Sequence, residues 1–176
     1  MKKYWTRWLI MTLALLLAAS GAARAEKWDE VVGQQAQEIA LTCADGRVFS
    51  LYETLKEKEL AVVCVFGSGC GACQKELRAM EAAYRPFAGR IAVVGLSLDI
   101  GKDRDEVLLQ FAQDHGLSFP LGRDPARTAR FMKINMYPAF MIVDQTGAVR
   151  YIEVNGEPSV EHLTGIFEAL LAERAL

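Results

Sequence analysis

Three short, continuous apolar runs constrain the fold of this 176-residue chain more than any other feature. They are Leu60–Phe66 (LAVVCVF), Ile91–Leu98 (IAVVGLSL) and Ala139–Val143 (AFMIV). Apolar runs of this length, without alternating polar residues, are typical of strands that are buried on both faces of a sheet. Because other elements must then cover both faces, the runs indicate an α/β domain.

Three segments around these runs have apolar residues at helical spacing. Helices are expected from Cys70 to about Tyr84, over Asp103–His115 and over Pro158–Leu171. A hairpin is expected over Ile39–Leu51, with its turn at Asp45 and Gly46, and one or two helical turns are expected over Tyr52–Glu59. Further along the chain, the sequence predicts an extended piece at Phe119–Leu121 and a helix from Asp124 to about Lys133. A strand at Val149–Val154 is expected to follow Ala139–Val143 through a turn at Asp144–Gly147. This last antiparallel pair predicts a mixed central sheet flanked by helices.

Residues 1–25 are predicted to be a signal peptide. They hold four basic residues and no acidic one, an apolar run at Leu9–Ala19, and small residues at Ala23 and Ala25 that suit cleavage before Glu26. An uncleaved membrane anchor is the alternative, although the apolar run is shorter than the roughly 20 residues of a membrane span. In this interpretation residues 26–38 form a polar lead-in segment and residues 39–176 form the domain.

The predicted export implies that the four cysteines are exposed to oxidising conditions. Exported proteins meet an oxidising environment in which disulfides persist, and in a bacterial cell this compartment is the periplasm. A domain of about 150 residues can bury a full core without such links, so the cysteines call for an explanation other than stability. Membrane contact is expected only if the leader is not cleaved.

The charge of the chain argues against a nucleic-acid partner. The whole chain has 20 basic and 22 acidic residues, and four of the basic ones lie in the leader, so the remaining 151 residues carry a formal charge of −6. Proteins that bind nucleic acid normally show a basic excess or a basic stripe. No nucleic-acid partner is therefore expected.

Cys70 and Cys73 are the strongest chemical signal in the chain. They follow an apolar strand and the turn Gly67–Gly69, and they fall in the first turn of an expected helix. Cysteines three residues apart on a helix can form a disulfide, and a helix N-terminus stabilises a thiolate through free N–H groups and the helix dipole. We expect Cys70 to attack a substrate disulfide and Cys73 to resolve the mixed disulfide.

Two other interpretations of this cysteine pair are weaker. A zinc site needs two further ligands, and this chain has one CxxC motif with His115 and His162 isolated from it, so no metal is expected. A purely structural disulfide would close a very small loop and would stabilise the fold little.

At these residues the chain resembles the thioredoxin superfamily, and in particular its exported TlpA-like thiol–disulfide oxidoreductases. The resemblance extends from about Ile39 to Leu171 and is carried by the stretches LTCADGRVFSL, VVCVFGSGCGACQKEL, VVGLSLD and MYPAFMIVDQTGAV. It implies a thioredoxin-like fold with an N-terminal β-hairpin. It also implies disulfide exchange with partner proteins and no bound cofactor.

The resemblance further implies which residues contact a substrate. Pro138 matches the cis-proline of the superfamily, whose loop faces the CxxC motif, and Tyr137 lies directly before it. Together with Gly71 and Ala72, which separate the two cysteines, these residues are expected to line the substrate groove. An ordinary packed aromatic is the alternative for Tyr137, and an X–Pro bond is trans by default.

Two departures from the family pattern and one match concern the active site. Gly69 stands where the family often has tryptophan. Cys64 stands six residues before the first cysteine, where thioredoxins carry a buried acid that manages the proton of the second cysteine. Glu76 matches an acid of the TlpA-like branch, three residues after the second cysteine. We expect Glu76 either to assist proton transfer or to interact with the helix dipole.

Two interpretations of Cys64 remain open at this point. Cys64 can be a small apolar filler in a central strand, because free cysteine is among the most buried residue types. Alternatively, an even number of cysteines in an oxidising compartment motivates a second disulfide between Cys43 and Cys64.

The resemblance favours a reductant, which receives its electrons from a membrane thiol relay. Two alternatives on the same fold have sequence requirements of their own. A peroxiredoxin has threonine three residues before its reactive cysteine, where this chain has Gly67. A copper metallochaperone would use a CxxxC motif and a positioned histidine, and neither is evident here.

Overall fold

The computed structural model describes residues 30–99, 101–124, 131 and 136–173. The predicted leader and nearly all of the predicted helix after Asp124 lie outside these residues. Among the residues that are described, no helix is both long and apolar enough to cross a membrane. The elements in chain order are β1 (Ala40–Thr42), β2 (Val48–Ser50), α1 (Leu51–Glu57), β3 (Leu60–Phe66), α2 (Gly71–Tyr84), a 3₁₀ helix (Arg85–Phe87), β4 (Ile91–Ser97), α3 (Asp105–His115), β5 (Leu121–Arg123), β6 (Ala139–Asp144), β7 (Val149–Val154) and α4 (Val160–Ala172).

A five-stranded mixed sheet with the order β5-β4-β3-β6-β7 forms the centre of the domain. Strand β3 pairs in parallel with β4 and antiparallel with β6. The strand that precedes the CxxC motif is therefore the middle strand of the sheet. Strands β1 and β2 form a separate antiparallel pair. The structure thus confirms the predicted mixed sheet with its N-terminal hairpin.

Side chains of β3 alternate between two cores, one on each face of the sheet. The α2 face contains Val62, Cys64 and Phe66 of β3, and helices α2, α3 and α4 contribute to the same core through residues such as Leu77, Leu108 and Phe167. The opposite face, the α1 face, contains Ala61, Val63 and Val65 together with Leu51 and Leu55 of α1. All seven residues of β3 are buried, as its apolar run predicts.

The predicted lead-in segment packs on the α1 face. Val31 and Ala36 are buried there. Gln35 forms an antiparallel bridge with Ala148, which follows the turn between β6 and β7. The described part of this polar segment therefore adds backbone pairing and apolar cover to the domain.

Helix α3 begins at Asp105, two residues later than the sequence predicts, because the Asp103 side chain forms hydrogen bonds with residues outside the helix. The Asp103 side chain is fully buried and accepts hydrogen bonds from Ser68 and Ser97, so it lies between the strand ends instead of in the first helical turn. Gly116 ends this helix in the left-handed conformation, with φ 63°, as expected for a C-cap glycine.

Cys43 and Cys64 are free thiols, and both are buried. Cys43 belongs to the core of the α1 face and Cys64 to the core of the α2 face, so the sheet separates them. The proposed disulfide between these residues is therefore wrong. Burial raises the pKa of the Cys43 thiol to about 11 and the pKa of the Cys64 thiol well above its ordinary value, which keeps both protonated at neutral pH.

This arrangement predicts the outcome of thiol mapping. Alkylation of the unreduced, denatured protein should modify two thiols, Cys43 and Cys64, and prior reduction should add two more. In the folded protein both should react slowly, because they are buried and protonated. Recovery of a peptide pair linked through Cys43 and Cys64 from the unreduced protein would contradict the structure.

Candidate active site

Cys70 and Cys73 form a disulfide at the start of α2, with their Cα atoms 5.2 Å apart. Strand β3 ends at Phe66, a three-residue turn follows, and Cys70 is the N-cap of the helix. The strand, turn and helix thus place both cysteines at one end of the central strand. The two residues that the CxxC spacing predicts to lie within disulfide reach are indeed joined.

The two sulfurs have different surroundings. Cys70 is half-buried, whereas Cys73 is fully buried in the core of the α2 face. The Sγ atom of Cys70 accepts a hydrogen bond from the backbone N–H of Cys73 at 3.1 Å. After reduction, the same N–H and the positive end of the helix dipole stabilise a thiolate at Cys70. Solvent exposure and thiolate stabilisation therefore both favour Cys70 as the attacking sulfur.

Asp103 fixes the turn that precedes Cys70. Its carboxylate accepts hydrogen bonds from the Ser68 backbone N–H at 3.0 Å and from the Ser68 hydroxyl. The Ser97 hydroxyl donates to the same carboxylate at 2.5 Å, and the Gln74 side-chain amide donates to the Ser68 carbonyl at 3.2 Å. These bonds join the CxxC turn to the end of β4. This contact is not evident from the sequence, because it links residues 35 positions apart.

The Tyr137–Pro138 peptide bond is cis, and its loop lies against the CxxC turn. A Cβ atom placed on Gly67 would lie 2.9 Å from Cζ of Tyr137, so the tyrosine ring occupies the space beside this glycine. Tyr137 keeps 36% of its surface exposed, whereas Pro138 is buried. Gly71 is exposed and Ala72 half-buried. The structure thus brings Tyr137 next to the turn that carries the cysteines.

Glu76 is buried in the protein interior, with 3% of its surface exposed. Its Oε2 atom has no hydrogen-bond partner among the described residues. Burial, followed by the negative charge of Glu153, raises the pKa of Glu76 to about 8. The Glu76 side chain therefore points into the fold and not into solvent.

The Glu76 carboxyl lies within electrostatic range of Cys64. Burial is the main reason that the pKa of Cys64 is raised, and the charge of Glu76 adds to it. Cys64 is the position at which thioredoxins carry their buried acid. In this chain helix α2 therefore supplies a carboxyl to the region that the central strand leaves without one.

The described residues contain no group of three or more His, Cys, Asp and Glu side chains arranged to hold a metal ion. Glu76 on α2 and Cys64 on β3 are titratable groups of the core into which Cys73 is buried. These groups can transfer protons and the two cysteines can exchange disulfides.

Comparison with known proteins finds similar sequences and similar folds. Thioredoxin-like protein YneN of Bacillus subtilis (strain 168) is 27% identical over 122 residues, which are 69% of this chain and 71% of that protein. A thiol:disulfide interchange protein of the thioredoxin family from Chlorobium tepidum TLS superposes with a TM-score of 0.69 at 20% identity, over 79% of this chain and 97% of that one. The thioredoxin domain of a thiol-disulfide oxidoreductase from Bacteroides vulgatus gives a TM-score of 0.65 at 22% identity, over 78% and 96% of the two chains.

These similarities identify the fold as thioredoxin-like and confirm the resemblance to the thioredoxin superfamily. On this fold, the cysteine pair that forms the disulfide between Cys70 and Cys73 is an arrangement that can carry out thiol–disulfide exchange. The model of the AhpC/TSA family matches residues 32–152, about two thirds of the sequence. The chain therefore belongs to the AhpC/TSA family.

Proposed function

We propose that this protein is an exported thiol–disulfide oxidoreductase that exchanges disulfides with partner proteins through Cys70 and Cys73. The observation that carries the proposal is the asymmetry of the pair. Cys70 is only half-buried and its sulfur accepts an N–H hydrogen bond at the N-terminus of α2, whereas Cys73 is fully buried. An exposed, stabilised thiolate is the form that attacks a disulfide, and a buried neighbouring thiol suits the second step.

The reaction runs in two exchanges. In the reducing direction, the Cys70 thiolate attacks one sulfur of a partner disulfide, forms a mixed disulfide and releases the other partner sulfur as a thiolate, which takes a proton. Cys73 then loses its proton and attacks Cys70 Sγ, which releases the second partner sulfur. Two electrons pass to the partner, and the disulfide between Cys70 and Cys73 forms again. The oxidising direction is the reverse of these steps.

Glu76 is the residue that we propose to accept the proton of Cys73. Both side chains are buried and lie three positions apart on α2, a spacing that places them on the same side of a helix. A buried thiol is reluctant to ionise, so the second exchange requires a nearby base. A carboxyl whose pKa is raised to about 8 is well matched to a thiol, because the proton affinities of the two groups are then similar.

The partner protein is proposed to lie across Gly71, Ala72, Tyr137 and Pro138. The first two residues separate the cysteines, and the other two form the cis-proline loop that contacts the same turn. Tyr137 is one of the exposed large hydrophobic residues, and exposed aromatic surface beside a reactive sulfur suits contact with a partner chain.

The TlpA-like assignment, the periplasmic location and the membrane thiol relay as electron source are further parts of this proposal. They are supported by the leader-like composition of residues 1–25 and by the sequence stretches that resemble the TlpA-like branch. The reduction potential tests the direction. A value near −270 mV, the thioredoxin end of the range, supports a reductant, whereas a value near −120 mV would indicate an oxidant.

Substitution of each cysteine tests the mechanism. We expect Cys70→Ser to abolish reduction of insulin by dithiothreitol, because it removes the attacking sulfur. Cys73→Ser should accumulate a mixed disulfide between Cys70 and the partner. Full activity of Cys70→Ser would contradict the mechanism, and rapid consumption of hydrogen peroxide without insulin reduction would favour a peroxidase instead.

Replacement of Glu76 should change how stability depends on pH. The folded protein retains the Glu76 proton up to about pH 8, whereas the unfolded chain releases it near the ordinary pKa of 4.5. The unfolded state therefore binds fewer protons in this window, and the free energy of unfolding decreases as the pH rises, by up to about 1.4 kcal/mol per pH unit from this group.

Glu76→Gln should remove this component, so its unfolding free energy, measured in urea between pH 5 and 8, should depend less on pH than that of the wild type. Glu161→Gln, which removes an exposed carboxylate on α4, is the matched control and should retain the wild-type slope. Equal slopes for Glu76→Gln and the wild type would show that the carboxyl is not buried.

A glycine pair tests the contact between the two loops. Gly67→Ala places a methyl group against the Tyr137 ring, whereas a Cβ atom on Gly69 meets nothing within 4 Å. We expect Gly67→Ala to displace Tyr137 and to lower kcat/KM for insulin reduction by about tenfold, the scale of a small misplacement at a reacting site. The control Gly69→Ala should have little effect. Equal rates for the two variants would argue against a role of the Tyr137 position.

A further inference from the structure

The carboxylate of Glu153 is held in a defined position near the buried Glu76. Its Oε2 atom accepts a hydrogen bond from the Tyr151 hydroxyl at 2.9 Å and lies 3.2 Å from Nε2 of His162. Its Oε1 atom lies beside Gly156, where a Cβ atom would approach it to 1.9 Å. The glycine thus leaves room for the carboxylate, and the other two residues orient it.

The sheet register places Glu153 on the same face as the active-site residues. Cys64 on β3 is opposite Phe140 on β6, and Phe140 is opposite Glu153 on β7. Residues that are opposite one another in a sheet point to the same face, so Cys64 and Glu153 lie in one row on the α2 face. Helix α2, which carries Glu76, covers this row, and α4 carries His162.

Burial decreases along this group of side chains. Glu76 is almost completely buried, the Glu153 side chain is 19% exposed, and the His162 side chain is 48% exposed. The titratable groups near the two carboxyls include Cys64 on β3, Tyr151 on β7 and His162 on α4, and Cys73 precedes Glu76 by three residues on α2. These side chains therefore extend from the interior beside the active site to the solvent-exposed surface of α4.

We propose that Glu153 is a positioning residue for the disulfide exchange, and that its carboxylate, held by Tyr151, His162 and Gly156, controls proton transfer between Cys73 and Glu76. The proposal rests on the proposed function, in which Glu76 accepts the proton of Cys73. A negative charge at Glu153 opposes a second negative charge at Glu76, so Glu76 keeps its proton to a higher pH. This electrostatic influence is the second cause of the raised pKa of Glu76, after burial.

His162, whose side chain is half-exposed on α4, contacts the Glu153 carboxylate at the protein surface. The proton that Glu76 takes from the Cys73 thiol is later released to water, and no other co-reactant is needed. We therefore expect the proton transfer at Cys73 to depend on residues of β7 and α4 that do not touch either sulfur.

Titration of the Glu76 carboxyl by carbon-13 NMR in the oxidised protein tests the proposal without measuring activity. Glu153→Gln keeps the shape of the side chain and removes its charge. It should lower the midpoint of the Glu76 titration by about one pH unit, because a like charge nearby raises the pKa of a carboxyl. Gly156→Ala should shift the midpoint in the same direction, because its methyl group must displace the carboxylate. The matched control Glu161→Gln, next to His162 on α4, should leave the midpoint unchanged.

The rate at which Cys73 resolves a mixed disulfide, measured against pH, provides a second readout. Glu153→Gln should move this profile to lower pH by the same amount as the NMR midpoint, and Glu161→Gln should not. An unchanged Glu76 midpoint in Glu153→Gln would overturn the proposal, and so would a shifted midpoint with an unchanged rate profile. Failure of the proposed function would differ from both, because wild-type protein would then not reduce disulfides while the NMR titrations remained measurable.

Discussion

A carboxyl group buried beside the central strand is the constraint on which the proposed chemistry depends. Glu76 has an oxygen without a hydrogen-bond partner among the described residues, and its surroundings hold its pKa at about 8. Such a group is costly to ionise, so a fold normally avoids it unless the carboxyl has a task. Its position three residues after Cys73 on the same helix suggests that task, which is to take the proton of a buried thiol.

The active site is assembled from turns and strand ends that are distant in sequence. The turn after β3 carries Cys70, the end of β4 contributes Ser97, the segment before α3 contributes Asp103, and the cis-proline loop before β6 contributes Tyr137. The three central strands therefore act as the rigid frame of the site. The Asp103 hydrogen bonds and the Tyr137 ring hold the turn before Cys70 from two sides.

The sheet and the helices were predictable because their signals are local. The apolar runs identify β3, β4 and β6, and the apolar spacing identifies α2, α3 and α4 to within a few residues. The cysteine pair was predictable for the same reason, because a spacing of three residues on a helix places two cysteines within disulfide reach. The beginning of α3 was misplaced because Asp103 forms its hydrogen bonds with residues of two other segments.

The less local features of the site were not predictable in this way. The burial of Glu76 depends on which side of α2 faces the sheet, although its spacing from Cys73 and Met80 was a usable signal for that side. The influence of Glu153 on Glu76 joins residues 77 positions apart and requires the register of β3, β6 and β7. The separation of Cys43 from Cys64 likewise requires knowledge of the face on which each thiol lies, and an even cysteine count contains no such information.

The proposed chemistry requires Glu76 to accept the proton of Cys73. The most direct test is the rate at which Cys73 resolves a preformed mixed disulfide on Cys70, measured by rapid mixing between pH 5 and 10 in wild type and Glu76→Gln. We expect the wild-type rate to rise with a midpoint near pH 8 and to level off above it. The variant should be slower at pH 7 by about tenfold or more, with its rise displaced to higher pH. Superimposable rate profiles for the two proteins would contradict the proposed chemistry.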